Sequence, residues 1–236
     1  MALVACPVHA IHGDGADLRA AAASFPDPVA PGIYACGFAS ASTYGASAWL
    51  IVRPEGNVLV DVPRPVPALF ERIRALGGVK TLFLTHRDDL DGHDKLATAF
   101  ACERVMHVGD RCAASSGVER YLEGDDCLGT GLQALHVPGH TRGSMVLLVD
   151  RQYLFSGDHL WGTGPRGWVS EGVPEGLGAG RSVCWYDWDQ QIESVERLLK
   201  FEFAAVLPGH GRPWRGGHLE RESALRGVIA WMREVA

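Results

Sequence analysis

Four shortages narrow what this chain can be. No apolar run approaches the roughly 18 residues that span a bilayer; runs such as Met145–Val149 and Thr81–Leu84 are strand-sized. The N-terminus shows no basic segment followed by an apolar stretch, so no secretory signal is expected. No Cys-x-x-Cys occurs. The six cysteines, at positions 6, 36, 102, 112, 127 and 184, are scattered, and the expectation is reduced, mostly buried thiols in a cytoplasmic protein. Positive charge is also short. With 22 Lys+Arg against 28 Asp+Glu, the net charge is −6, the wrong sign for neutralising phosphates, so nucleic acid is not expected as a partner, and with no bilayer-length apolar run a membrane is not expected either.

What is present is the arithmetic of an ordinary globular chain: 236 residues, 47% hydrophobic and 21% charged. A chain of this length buries roughly three-quarters of its unfolded surface and needs no staples. Strands are predicted at 32–36, 46–52, 57–61, 81–85, 103–107, 132–137, 145–149, 152–155 and 204–207. Helices are predicted at 65–76, 93–101, 187–200 and 219–235, the third carrying an apolar stripe of Ile192, Val195, Leu198 and Leu199. Pro65 is expected in the first turn of the first helix. The order suggests two β-rich halves, each covered by its own helices, within one domain spanning 32–236 and preceded by an irregular leader, 1–31. Residues 161–184 are Gly-rich with Trp161 and Trp168, either a cap over a site or a surface excursion.

Four apolar strands each end in an imidazole or a carboxylate. Thr81–Thr85 runs into His86-Arg87-Asp88-Asp89-Leu90-Asp91-Gly92-His93, and Leu135-His136-Val137 into Pro138-Gly139-His140. Tyr153-Leu154-Phe155 runs into Ser156-Gly157-Asp158-His159, and Val206-Leu207 into Pro208-Gly209-His210. Glycine permits the tight turns that aim such side chains at a shared centre. Borderline metals such as zinc and iron take this mixture of imidazole nitrogen and carboxylate oxygen, and Asp158 could bridge two ions. Any one of these histidines alone reads as a hydrogen-bonded turn residue. His9, His12, His107, His136 and His218 are left in that class, His136 as a half-buried strand residue.

Thr85-His86, Pro138-Gly139-His140-Thr141-Arg142-Gly143-Ser144, Ser156-Gly157-Asp158 and Pro208-Gly209-His210-Gly211 together resemble the motifs of the metallo-β-lactamase-fold superfamily, over roughly 32–215. The resemblance implies a mixed α/β fold, a four-layer αββα sandwich. It further implies that His86, Asp88 and His140 hold one metal with Asp158 bridging, and that His93, Asp158 and His210 hold the other. The family's first motif is His-x-His-x-Asp-His. Here Asp88 stands for the second His and Gly92 for the Asp that orients the nucleophilic water, leaving Asp91 as its candidate catalytic substitute. An acidic residue at 88 is similar to the flavo-diiron branch, whose metals are iron.

His86-Arg87-Asp88-Asp89, Cys184-Trp185-Tyr186 and Pro208–Arg212 resemble a subgroup that often carries a ferredoxin-like N-terminal segment. Ala5-Cys6-Pro7-Val8-His9-Ala10-Ile11 is similar to the end of a ferredoxin motif, but without further clustered cysteines no iron–sulfur cluster is expected. The glutathione-thioesterase branch is similar in fold yet has a long basic extension after its last His, whereas 26 residues follow His210 here.

The functional expectation is a hydrolase of a small ester, thioester or lactone-like substrate, acting through a metal-bound hydroxide. It would use one or two divalent ions, zinc first, with iron or manganese as alternatives. Arg142, Trp161, His159 and Arg166 are candidate substrate contacts. Two readings remain beside it: a non-catalytic descendant that binds a ligand or partner, motivated by Gly92, and an iron-dependent redox protein, motivated by Asp88 and Cys6. Substrate and oligomeric state are not legible.

Overall fold

The structure, a computed structural model, describes residues 2–6, 10–164 and 175–236. Arg166, Trp168 and His9 lie outside them. The chain divides into two compact units, Met1–Met106 with Cys112–Tyr121, and His107–Arg111 with Leu122–Ala236.

The first unit is built on a seven-stranded sheet. In chain order its elements are α1 (Ala2–Ala5), α2 (Gly15–Ala23), β1 (Asp27–Ala30), β2 (Ile33–Ala35), β3 (Trp49–Ile51), β4 (Val58–Val60), α3 (Pro67–Ala75), β5 (Thr81–Phe83), α4 (His93–Phe100), β6 (Glu103–His107) and β7 (Arg120–Leu122). The strands lie in the order β1 to β7. β4, β5 and β6 are parallel, as they must be when α3 and α4 serve as the crossovers between them. Leu69 and Ile73 of α3 and Leu96 of α4 join Leu50, Leu59, Leu82, Leu84 and Met106 in one apolar cluster. Alternate residues on the other face, Ile51, Val60, Phe83 and Val105, are buried as well. Strands buried on both faces explain why these segments read as near-continuous apolar runs.

Two expectations are corrected in this unit. The leader is not irregular throughout. Asp14 caps α2 by accepting from the Ala16 and Asp17 N–H groups at 2.7 and 2.8 Å, and β1 pairs antiparallel with β2. α3 begins at Pro67 rather than Pro65, because a residue preceding proline is pushed out of the helical region, which keeps Val66 extended.

The second unit holds β8 (Asp126–Gly129), β9 (Leu132–His136), β10 (Met145–Val149), β11 (Tyr153–Gly157), β12 (Trp161–Gly162), β13 (Leu177–Gly178), α5 (Trp188–Leu198), β14 (Ala205–Pro208), β15 (Trp214–Arg215) and α6 (His218–Glu234). Its six-stranded sheet runs β15-β14-β11-β10-β9-β8, and β12 pairs with β13 separately. β11 and β14 are parallel, joined through α5. Asp187 caps α5 by accepting from the Gln190 N–H at 2.9 Å. The predicted stripe, Ile192, Val195 and Leu198, packs with Leu225, Val228 and Met232 of α6 against Leu148, Leu154 and Val206. Of the cysteines, Cys36 and Cys102 are buried but Cys112 and Cys127 are exposed, against expectation. Among the described residues no helix is long and apolar enough to cross a membrane.

Candidate metal centre

In each unit candidate donors stand just beyond the carboxyl ends of strands, where α/β sheets commonly place their ligands. In the first unit, β5 ends and the chain turns inward at His86, which is 2% exposed. Its ring is oriented by a short relay. The Thr85 backbone N–H and hydroxyl both reach Asp61 Oδ1, at 2.8 and 2.9 Å, and the same hydroxyl lies 3.0 Å from His86 Nδ1. When the Thr85 hydroxyl donates to ionised Asp61, Nδ1–H donates to the hydroxyl, and Nε2 carries the lone pair that a metal needs. Burial pushes the Asp61 carboxyl up to about 7, against the opposing pull of His86 and the Thr85 hydrogen bonds.

The acidic partner of His86 is Asp89. Its Oδ2 stands 3.7 Å from His86 Nε2, and both side chains are 2% exposed. Asp88, the residue expected there, is partly exposed, with Oδ1 3.9 Å from Arg87 Nε. His93, expected as a ligand, is turned into the interior. Its Nε2–H donates to the Ala114 carbonyl at 2.9 Å, and Nδ1 accepts from Arg104 Nη1 at 3.1 Å. Both ring nitrogens are thus engaged within the first unit, and Arg104 is itself held by Glu119. Asp91 is exposed and accepts from the Ser42 hydroxyl at 2.5 Å. Gly92 caps α4 with φ +90°, and a Cβ there would stand 3.2 Å from Pro65 Cδ. An aspartate in the family's place is therefore strained at this position.

In the second unit the donors converge on one oxygen. Asp158 Oδ2 lies 3.8 Å from His140 Nε2 and 3.7 Å from His210 Nε2. These separations are too long for hydrogen bonds. They are close to the roughly 3.4 Å expected between two ligands bound tetrahedrally to one ion at about 2.1 Å. The donor chemistry, two imidazoles on either side of one carboxylate, fits a divalent cation.

Backbone architecture makes this geometry. β9 leads into the Pro138–Ser144 turn, and that turn is braced from two sides. Asp110, fully buried, accepts from the Thr141 hydroxyl at 2.6 Å and from the Gly143 N–H at 2.8 Å. From the other side, the Trp185 and Tyr186 N–H groups donate to the His140 carbonyl at 2.9 and 3.2 Å, and the Asp187 N–H donates to Gly139 at 3.0 Å. Gly139 has φ +151°, and a Cβ at this position would lie 2.3 Å from Gln191 Cβ. Only glycine lets the turn rest on α5. Gly157, with φ +50°, turns β11 toward Asp158.

His159 is not a surface contact. It is 1% exposed, and burial together with nearby His140 pushes its imidazole down to about 3. Arg142 is exposed, and Trp161 is partly buried in β12. His107 and His136, left as ordinary histidines, stack with ring centroids 3.8 Å apart. Sequence reasoning did not single out Asp61, Asp110 or Asp89, the last with Oδ2 3.7 Å from His86 Nε2. The adjacent acids at 88 and 89 were visible, but no local signal distinguished the one facing His86.

Residues 29–170, more than half the chain, match the family described as "Metallo-beta-lactamase superfamily". The chain belongs to that superfamily. A hydroxyacylglutathione hydrolase of Xanthomonas oryzae pv. oryzae (strain MAFF 311018) is 29% identical over 165 residues, covering 68% of this chain and 56% of the relative. One from Xylella fastidiosa (strain M12) is 30% identical over 130 residues, 53% of this chain and 49% of the relative. The chain thus spans about half the length of the curated relatives it matches. Among solved structures, TTHA1623 in a di-iron-bound form is 25% identical with a TM-score of 0.53, covering 72% of this chain and 89% of that one. The DIM-1 metallo-beta-lactamase is 16% identical with a TM-score of 0.66, covering 89% and 96%. The mixed α/β fold is of the metallo-β-lactamase type, as its strand-end motifs implied.

Proposed function

We propose that this chain is a metal-dependent hydrolase that cleaves the acyl bond of a small thioester or ester. The donors proposed for divalent ions are His140, Asp158 and His210 in the second unit, and His86 and Asp89 in the first. The observation that carries the reading is the pair of imidazole nitrogens flanking Asp158 Oδ2 at 3.7 and 3.8 Å. Superfamily membership supports it, and the hydroxyacylglutathione hydrolases among its relatives favour a thioester over a lactone.

A divalent ion bound there supplies Lewis acidity for the scissile carbonyl and makes a water nucleophilic near neutral pH. The chain's own residues prepare it. Asp61 and Thr85 set the tautomer of His86, Asp110 and the 184–187 backbone fix the turn that carries His140, and Asp158 stands central to both imidazoles of its unit. Asp89 supplies the carboxylate that Gly92 cannot and that Asp91, bonded to Ser42, does not. In this assignment Asp88 and His93 are not ligands.

Metal content of chelator-free protein, followed by turnover of a thioester and ester panel, tests the proposal. The expected result is one to two ions per chain and metal-dependent acyl hydrolysis. Asp89→Asn should lower metal affinity at least about tenfold, while Asp88→Asn and His93→Gln should leave stoichiometry intact. Retention of full affinity in Asp89→Asn, or an ion lost from Asp88→Asn, reverses the ligand assignment. A metal-loaded protein inactive on the whole panel refutes the hydrolase reading. A second reading, an iron redox protein, is favoured by the carboxylate beside His86 and by the likeness to the di-iron TTHA1623 structure. Iron as the bound ion, with a spectrum that responds to reductant, would select it.

A further inference from the structure

The second unit displays an unusual aromatic ledge beside His140. Within four residues, Val183, Trp185 and Tyr186 are 37%, 61% and 46% exposed. Single exposed apolar side chains need no explanation. Three in one short run differ, because the run is not a loose loop. The Cys184 thiol and the Asp187 N–H donate to the Gly139 carbonyl at 3.1 and 3.0 Å. The Trp185 and Tyr186 N–H groups donate to the His140 carbonyl. Just downstream, Trp188 is buried, its indole N–H donating to the Met232 carbonyl at 3.1 Å and its ring set edge-on to Trp231. The backbone is therefore clamped at both ends while the large side chains face solvent. The Trp185 ring lies 6.5 Å from the His140 imidazole, inclined at 57°.

We infer that Trp185, with Tyr186 beside it, is a platform that receives the apolar arm of the substrate's acyl group. This rests on the hydrolase reading and narrows its substrate to acyl groups carrying an aliphatic or aryl chain of about four carbons or more. The physical case is preorganisation. A rigidly held indole offers a large apolar face at little further entropic cost, and covering it with substrate recovers the area left exposed in the free protein. Its ring, 6.5 Å from the imidazole of a candidate metal ligand, stands within reach of the acyl arm of a substrate whose carbonyl would be polarised by an ion held there. Full burial of a methylene favours binding by about fourfold, so one-sided contact with a ring is worth about twofold per methylene. Four added methylenes then give about 16-fold.

The test compares acetyl, butyryl, hexanoyl and phenylacetyl thioesters of N-acetylcysteamine on the metal-reconstituted full chain, reading kcat/KM. The leaving group is the same small polar thiol throughout, so only the acyl arm changes. Saturation-transfer NMR with acetate and hexanoate reports binding without turnover. The expected result is a preference for hexanoyl over acetyl of about 16-fold. Trp185→Ala should reduce that ratio to about twofold or less, Trp185→Phe should restore part of it, and Leu219→Ala, an exposed apolar control, should preserve it. Hydrolysis without a chain-length preference, or a preference that survives Trp185→Ala, overturns the platform and leaves the hydrolase reading standing. If no thioester turns over but hexanoate binds better than acetate in a Trp185-dependent way, the hydrolase reading falls and the platform stands. Neither turnover nor Trp185-dependent binding overturns both.

Discussion

Asp110→Ala tests how the His140 turn is held. The carboxylate is fully buried, and its two oxygens accept from Thr141 Oγ at 2.6 Å and from the Gly143 N–H at 2.8 Å. Without it the two donors fare differently. The Thr141 hydroxyl can redirect to Ser144 Oγ, already 2.8 Å away, so its loss is small. The Gly143 N–H, on a buried residue, is left without its acceptor. A stranded buried donor costs about 1–3 kcal/mol, and the lost charge-assisted bonds raise the expected total to about 3 kcal/mol. For a chain of this size that lowers the melting temperature by about 6–12 °C. Asp110→Asn, which keeps one acceptor, should fall between. Because the turn carries His140, metal affinity should fall together with stability, by about 10- to 100-fold, the usual range when a ligand's supporting partner is removed. Calorimetry and competitive chelator titration read the two quantities. An Asp110→Ala protein that melts within 1 °C or so of the parent and binds metal as tightly would refute the account.

Further outcomes follow from the same geometry. Chelation with EDTA should lower the melting temperature of the loaded protein, since an ion at 100 times its Kd adds about 2.7 kcal/mol to the folded state; an unchanged melt would count against any bound ion. Gly139→Ala should destabilise by about 3 kcal/mol or more, because its Cβ meets the backbone of α5 at 2.4 Å and φ is +151°; a normally folded, metal-binding variant would show that α5 yields. Glu119 is clamped by Arg104, whose guanidinium and backbone N–H hold the carboxyl down to about 2. A carboxyl depressed below its ordinary 4.5 contributes fully above that pH and loses its contribution as the pH falls toward about 2. Glu119→Gln should therefore melt below the parent at pH 6, and the gap should close between about pH 4.5 and 2; a constant gap would mean the clamp is not electrostatic.

Much of this molecule was legible before its tertiary structure. The nine expected strands and four expected helices correspond to observed elements, and His86, His140, Asp158 and His210 do stand just past strand ends. These features are local: an apolar period, a glycine that permits a turn, and a polar residue that follows within a few positions. The six unpredicted strands, β1, β7, β8, β12, β13 and β15, are two to four residues long. Such segments carry too little alternation to be read, and they exist because a neighbouring strand offers them an edge. α2 was hidden for a similar reason, its alanines giving no apolar stripe.

Within the first motif, pattern alone could not decide. Asp88, Asp89 and Asp91 are chemically alike and lie within four residues, but only the three-dimensional path of 86–93 tells which one faces His86. His93 looks like a ligand until Arg104 and the Ala114 carbonyl, 11 and 21 residues away, are found on its two nitrogens. Asp61 and Asp110 support His86 and the His140 turn from 24 and 31 residues away in sequence. Chemistry-bearing residue types and their approach along strands are properties of short segments, and so the chain states them by itself. Which lone pair is left for a metal depends on what each side chain meets across the fold, and that is decided only when distant backbone closes around it.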